Sequence, residues 1–97
     1  MEDTYNGWRN FETWLVALHL SNEYETQKYW EERAAAIKDK TDDFMEAKYM
    51  LGKEIEDDLE EYLYEAIPED ALLIKDLINA SFKHIDFYEI AESYLYE

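Results

Sequence analysis

Two glycines and one proline punctuate ninety-seven residues, so the chain has almost none of the residues that build tight turns, bulges and strand breaks. Apolar residues recur at spacings of three and four, and few β-branched residues alternate with polar ones, which is the period of a helix rather than a strand. The expectation is an all-α protein, a compact bundle of about five helices. A single helical domain over residues 1–97 is expected, because two cores drawn from this length would each bury too little surface. With 47% hydrophobic and 16% aromatic residues the chain fills one core, so an ordered fold is expected in spite of its charge.

The elements follow from periodicity and caps. Asn6-Gly7 marks a turn in the opening segment Met1 to Arg9. Asn10 caps a first helix with Phe11, Trp14, Leu15 and Leu18 on one side, ending near Ser21-Asn22. A second helix, from about Glu23 to Lys38, turns Thr26, Tyr29, Trp30, Ala34 and Ile37 inward and leaves Lys28, Glu31, Glu32 and Arg33 as mixed charges outside. Thr41 or Asp42 starts the longest helix, to about Glu65, with Phe44, Tyr49, Leu51, Ile55, Leu59, Tyr62 and Leu63 as its buried or half-buried side. Gly52 inside it costs about 1 kcal/mol relative to Ala and marks a close helix crossing. Pro68 is placed to open a fourth helix, with Glu69 and Asp70 at its positive end and Leu73, Ile74, Leu77, Ile78 and Phe82 as its apolar side. Asp86 and Glu89 have the spacing of a capping box for a last helix carrying Phe87, Ile90, Ala91, Tyr94 and Leu95.

Charge is the feature that helices alone leave unexplained. Twenty-five acidic against nine basic residues give a net charge of −16, well past the magnitude of about 2–8 that keeps a small domain in solution. Such a chain repels the phosphate backbone, so direct nucleic-acid binding is not expected. Halophilic adaptation fits poorly, because lysine outnumbers arginine seven to two and aromatics are abundant. The charge is uneven: −3 over residues 1–40, −8 over residues 41–65 and −5 over residues 66–97. Glu54, Glu56, Asp57, Asp58, Glu60, Glu61 and Glu65 place seven carboxylates within eleven helical steps, about one per 2.4 Å. Duplex DNA carries one charge per about 1.7 Å and a single strand one per about 3.4 Å. Like-charge pairs four apart at Asp42–Glu46, Glu54–Asp58, Glu56–Glu60, Asp57–Glu61 and Glu61–Glu65 together cost about 1–2.5 kcal/mol at low salt. A purely structural helix avoids that cost by interleaving lysines.

Enzymatic chemistry finds no constellation. The absence of cysteine excludes disulfides, thiolate metal sites and a cysteine nucleophile. His19 and His84 stand in no zinc or di-iron frame. Ser81 and His84 lack an orienting acid and a glycine elbow; His84 reads instead as a residue meeting free carbonyls at a helix C-terminus. Two glycines build no phosphate loop, and the acidic run lacks the ligand alternation and central glycine of a calcium loop. The reading is no enzyme, no cofactor and no resident metal. No apolar run of about 18 residues and no basic-then-apolar leader at Met1 are present, so a protein that stays in the cell making it, away from membranes, is expected.

Two stretches resemble a known family. Asn6-Gly7-Trp8-Arg9-Asn10-Phe11-Glu12-Thr13-Trp14-Leu15-Val16, followed by Leu20-Ser21-Asn22, is similar to the opening of a family of small, largely uncharacterised phage, plasmid and bacterial proteins. Asp76-Leu77-Ile78-Asn79-Ala80, then Ile85-Asp86-Phe87-Tyr88-Glu89-Ile90-Ala91-Glu92, is similar to its close. The acidic middle is denser than that family's pattern. The resemblance implies a mobile-element protein acting in the cytoplasm of a bacterial host and assigns no catalytic residue. Trp8, Asn10, Thr13 and Trp14 read as a structural signature: an indole pair closing the bundle over a polar cap.

The function these readings predict is nucleic-acid mimicry: a stoichiometric anti-CRISPR or anti-restriction inhibitor whose carboxylates, Glu54 to Glu65, form a continuous ridge against the Lys and Arg of a basic, nucleic-acid-binding host protein. Tyr62 and Tyr64 are its candidate aromatic anchors, with Tyr88, Tyr94 and Tyr96 near other acids. The alternative from another class is a non-enzymatic helical interaction module, self-associating through its aromatics, in which acidity serves only solubility.

Overall fold

The computed structural model describes residues 4–96; Met1, Glu2 and Asp3, with the leader position, and Glu97 lie outside them. Five helices follow in order, α1 (Phe11–Asn22), α2 (Tyr24–Lys40), α3 (Phe44–Ala66), α4 (Leu72–Phe82) and α5 (Phe87–Leu95), and no strand occurs among the described residues. The protein is an all-α bundle.

Three helices start where an Asn or Asp side chain accepts from the free N–H groups of the first turn. Asn10 accepts from Thr13 N–H at 2.8 Å, Asp43 from Met45 N–H at 3.0 Å, and Asp86 from Glu89 N–H at 3.0 Å. Asp43 caps α3 two residues later than the earliest expected start. Before α1, Asn6 (φ 48°) and Gly7 (φ 88°) form a two-residue hairpin turn closed by Tyr5 N–H to Trp8 O at 2.7 Å and Trp8 N–H to Tyr5 O at 2.8 Å. Both central residues have positive φ, the conformation for which an Asn-Gly pair is suited.

The core lies between α2, α3 and α5. Trp30, Ala34 and Ile37 of α2 meet Ala47, Leu51 and Ile55 of α3 and Phe87, Ile90, Ala91, Tyr94 and Leu95 of α5, with Leu20 of α1 at the edge. Helix α5 has nine residues and buries five of them, so a segment too short to stand alone is held by packing. It crosses α3 at Gly52, where a Cβ would sit 2.9 Å from Tyr88 Cδ1 and 3.2 Å from the Phe87 carbonyl oxygen. The glycine thus permits a close approach of α5 to α3, as its place in the longest helix predicted.

Several expectations are corrected. Pro68 does not open α4: residues 68–71 form a turn closed by Ala71 N–H to Pro68 O at 3.1 Å, and the helix begins at Leu72 without a side-chain cap. A fixed φ suits a turn as well as a helix start, so the local signal is ambiguous. Tyr29, Tyr49 and Tyr62 are exposed rather than inward, at the borders of their helices' apolar sides. Arg33 does not pair along its own helix but reaches α3. Most consequential, no residue of α4 is buried. The radius of gyration, 14.2 Å, exceeds the value of about 13 Å for a compact chain of this length, as a helix standing off the body would make it.

Candidate functional site

Helix α3 carries the acidic run, and its 3.6-residue turn decides how the carboxylates are displayed. Glu54, Asp58, Glu61 and Glu65, spaced four, three and four apart, share one flank. Glu56 and Glu60 share the other, and Asp57 lies on the side of the helix opposite the stripe. Between them runs the apolar stripe Ile55, Leu59, Tyr62 and Leu63. The expected single ridge is therefore two rows bordering a stripe, because the same helix must also supply core residues every three or four positions.

Cations reach three of the seven acids. Arg33 Nε and Nη2 donate to the two Glu54 carboxylate oxygens at 2.8 and 2.9 Å, a two-pronged bond between α2 and α3. The hydrogen bond to Glu54 and then its charge hold the Arg33 guanidinium above its ordinary value. Lys53 Nζ lies 3.8 Å from Glu56 and 3.7 Å from Asp57 on its own helix. The charge of Asp57, then that of Glu56, raises the Lys53 ammonium. Asp58, Glu60, Glu61 and Glu65 have no ion pair among the described residues. No basic residue occupies the last turn of α3, so Glu61 and Glu65 stand unrelieved beside the negative end of the helix dipole.

The two candidate anchors part company. Tyr62 is 67% exposed and borders the apolar stripe. Tyr64 is half-buried, and its hydroxyl donates to Asn79 Oδ1, fastening α3 to α4. It serves the fold.

The Trp-rich opening is built into the structure. Thr13 is fully buried, and its Oγ1 accepts from Asp86 N–H at 2.9 Å. The Asn10 amide donates to the His84 carbonyl, so its side chain joins two segments while capping α1. Glu89 does not complete a capping box with Asp86; one carboxylate oxygen accepts from Arg9 N–H at 2.9 Å, and Arg9 Nη1 lies 3.5 Å from Asp86. Trp14 meets Tyr5 and Phe11, with ring centroids 4.9 and 5.6 Å away, while Trp8 packs on the core. The polar cap is as expected, and the ring partners of Trp14 are a tyrosine and a phenylalanine.

A second feature was hidden from sequence reasoning. Between α1, the second half of α3 and α4 lies an apolar groove of about 630 Å³. Leu15, Val16 and His19 form one wall, the α3 stripe its floor, and Ile74, Leu77, Ile78 and Phe82 the other wall. Among the described residues Asp58 and Glu23 are the acids that line it, and no Lys or Arg does. Leu73 is 71% exposed, Leu77 59% and Ile74 49%. The apolar side of α4 read as core because the spacing of its residues is that of a packed helix; only the position of α4 leaves that side open. No group of three or more His, Asp or Glu able to hold a metal ion occurs among the described residues. No helix among them is long and apolar enough to cross a membrane.

The arrangement defines a class: a five-helix protein whose longest helix pairs an apolar stripe with acidic flanks. Within that class, the chain belongs to a family of unknown function, DUF7249, whose pattern it matches over residues 1–92. No curated protein and no solved structure matches it.

Proposed function

We propose that this protein is an acidic nucleic-acid mimic carried by a mobile element, a non-enzymatic inhibitor of the anti-CRISPR or anti-restriction kind that occupies the nucleic-acid-binding surface of a basic host protein in the bacterial cytoplasm. The observation that carries the reading is the set of four unpaired carboxylates, Asp58, Glu60, Glu61 and Glu65, at the unrelieved C-terminal end of α3. Seven helical steps separate the first from the last, so even without the three paired acids one charge falls per about 2.6 Å, between single-stranded and duplex DNA. Groups so placed attract Lys and Arg that otherwise hold phosphates, with fast, salt-sensitive association. The resemblance of the opening and closing motifs to phage and plasmid proteins supports the setting.

The test is competition. Inhibition of a CRISPR or restriction nuclease should be relieved by added nucleic acid and fall at least tenfold, at moderate salt, in Asp57→Asn/Asp58→Asn/Glu60→Gln/Glu61→Gln. Equal inhibition by this variant sinks charge mimicry. The second reading, a helical interaction module, is favoured by the apolar groove; under it the neutralised variant keeps its partner, and salt has little effect on binding.

A further inference from the structure

We infer that the groove between α1, the second half of α3 and α4 is a docking site for an amphipathic helix of a basic protein, apolar on one face and bordered by Lys or Arg. The inference deepens the reading above, because the partner is again basic, and it assigns the apolar half of the contact to a different surface.

An eleven-residue helix that buries none of its residues while exposing Leu73, Ile74 and Leu77 is costly to leave in water. Apolar surface of this extent marks an interaction site on a small protein. It is an open cleft, not a closed pocket: the apolar surface runs outward past the groove over Leu72 and Leu73, which suits a macromolecule better than a small ligand. Length agrees, since eleven helical residues span about 16 Å, room for three turns presenting side chains at i, i+3 or i+4 and i+7.

Charge selects the occupant. The acidic lining residues are Glu23 and Asp58, and no cation lines the groove to welcome an anionic headgroup or fatty carboxylate. A second copy brings another −16 against the first. Of the α3 carboxylates Asp58 lines the groove, and Glu23 lines it from the junction of α1 and α2, so a helix lying there meets acids at its edges from those two places. Lys or Arg at those edges turns the desolvation of the leucines and the charge attraction to the same end.

Fluorescence anisotropy tests this with an eighteen-residue helical peptide of Leu and Lys at that spacing, and a control in which every Leu is Ala. At 0.5 M NaCl, where the Debye length is about 4 Å, the parent protein should bind the Leu peptide at least tenfold more tightly than the control. Ile74→Gln/Leu77→Gln, two exposed positions whose change leaves the core intact, should abolish that preference while circular dichroism stays unchanged. The fourfold charge variant should lose low-salt affinity but keep the preference for Leu at 0.5 M, so failure of nucleic-acid mimicry leaves the groove standing. Absence of the preference, or its survival in Ile74→Gln/Leu77→Gln, overturns the inference. So does a parent dimer in sedimentation that this variant converts to monomer, since the groove would then belong to a second copy.

Discussion

The Thr13 hydroxyl accepts a hydrogen bond from the Asp86 backbone N–H at 2.9 Å, joining the first turn of α1 to the cap of α5 across 73 positions of sequence. The Asp86 carboxylate meanwhile caps α5, so one residue is held through its backbone and holds the helix through its side chain. Thr13→Val keeps the shape and removes the acceptor. Leaving the part-buried N–H without its partner should cost about 1–3 kcal/mol, whereas Thr13→Ser, which keeps the oxygen, should cost about 1 kcal/mol or less. Urea denaturation of the two variants checks the difference.

Gly52→Ala sets two effects against each other. Helix propensity favours Ala by about 1 kcal/mol, but the new Cβ would stand 2.9 Å from the Tyr88 ring and 3.2 Å from the Phe87 carbonyl oxygen. The ring can move; the carbonyl belongs to the first residue of α5, which is packed into the core. Net destabilisation of about 1–2 kcal/mol is expected. In a Tyr88→Ala background the same substitution should cost less, and equal cost in both backgrounds would show that the ring contact is not the constraint.

Salt should stabilise this protein. The fourfold change Asp57→Asn/Asp58→Asn/Glu60→Gln/Glu61→Gln removes four like-charge pairs four residues apart and should raise stability by about 1 kcal/mol at 20 mM salt, with the gain shrinking by 200 mM as screening does the same work in the parent. Thermal melts of parent and variant across that range measure it. A variant less stable than the parent at low salt would mean that the acids are better accommodated than their spacing implies.

Arg33 and Glu54 lie 21 positions apart and join α2 to α3. Both are about one-third exposed, so solvent screening holds the coupling near that of a surface pair, about 0.5–1 kcal/mol. A double-mutant cycle with Arg33→Met and Glu54→Gln measures it. A coupling near zero would assign the contact to geometry without energy.

The pH response follows from the two raised cations. A group whose folded value lies above its unfolded one contributes stability that is complete below the unfolded value and lost as pH rises through the folded one. Lysine ordinarily titrates at about 10.4 and arginine higher still, and both Lys53 and Arg33 are raised. The contribution of Lys53 should therefore be flat from pH 6 to 9 and fade above about pH 10.4. The stability difference between parent and Lys53→Met should stay constant across the lower range and shrink as pH rises through the raised folded value of Lys53.

Much of the fold is written locally. Asn10 and Asp86 each place a short acceptor ahead of a helical pattern, and each caps; α3 is capped by Asp43, past the expected start at Thr41 or Asp42. Gly52 was readable as a crossing because nothing else justifies a glycine in the middle of a long helix. Pro68 was not readable in the same way, since turns and helix starts want the same φ. Tyr64 resembled an interface anchor because its partner, Asn79, sits 15 positions away on another helix. Ile74 and Leu77 resembled core because periodicity reports which side of a helix is apolar and not whether anything covers it.

Sequence by itself determined the helical character, the caps and the density of negative charge along α3, because these depend on residues within a few positions of one another. Tertiary structure alone decided that Glu54 is neutralised from another helix and which apolar faces stay open. Arg33 quiets Glu54 only because α2 packs beside α3, and the groove exists only because α4 stands away from α1. Both outcomes depend on distances between helices, which no local pattern encodes.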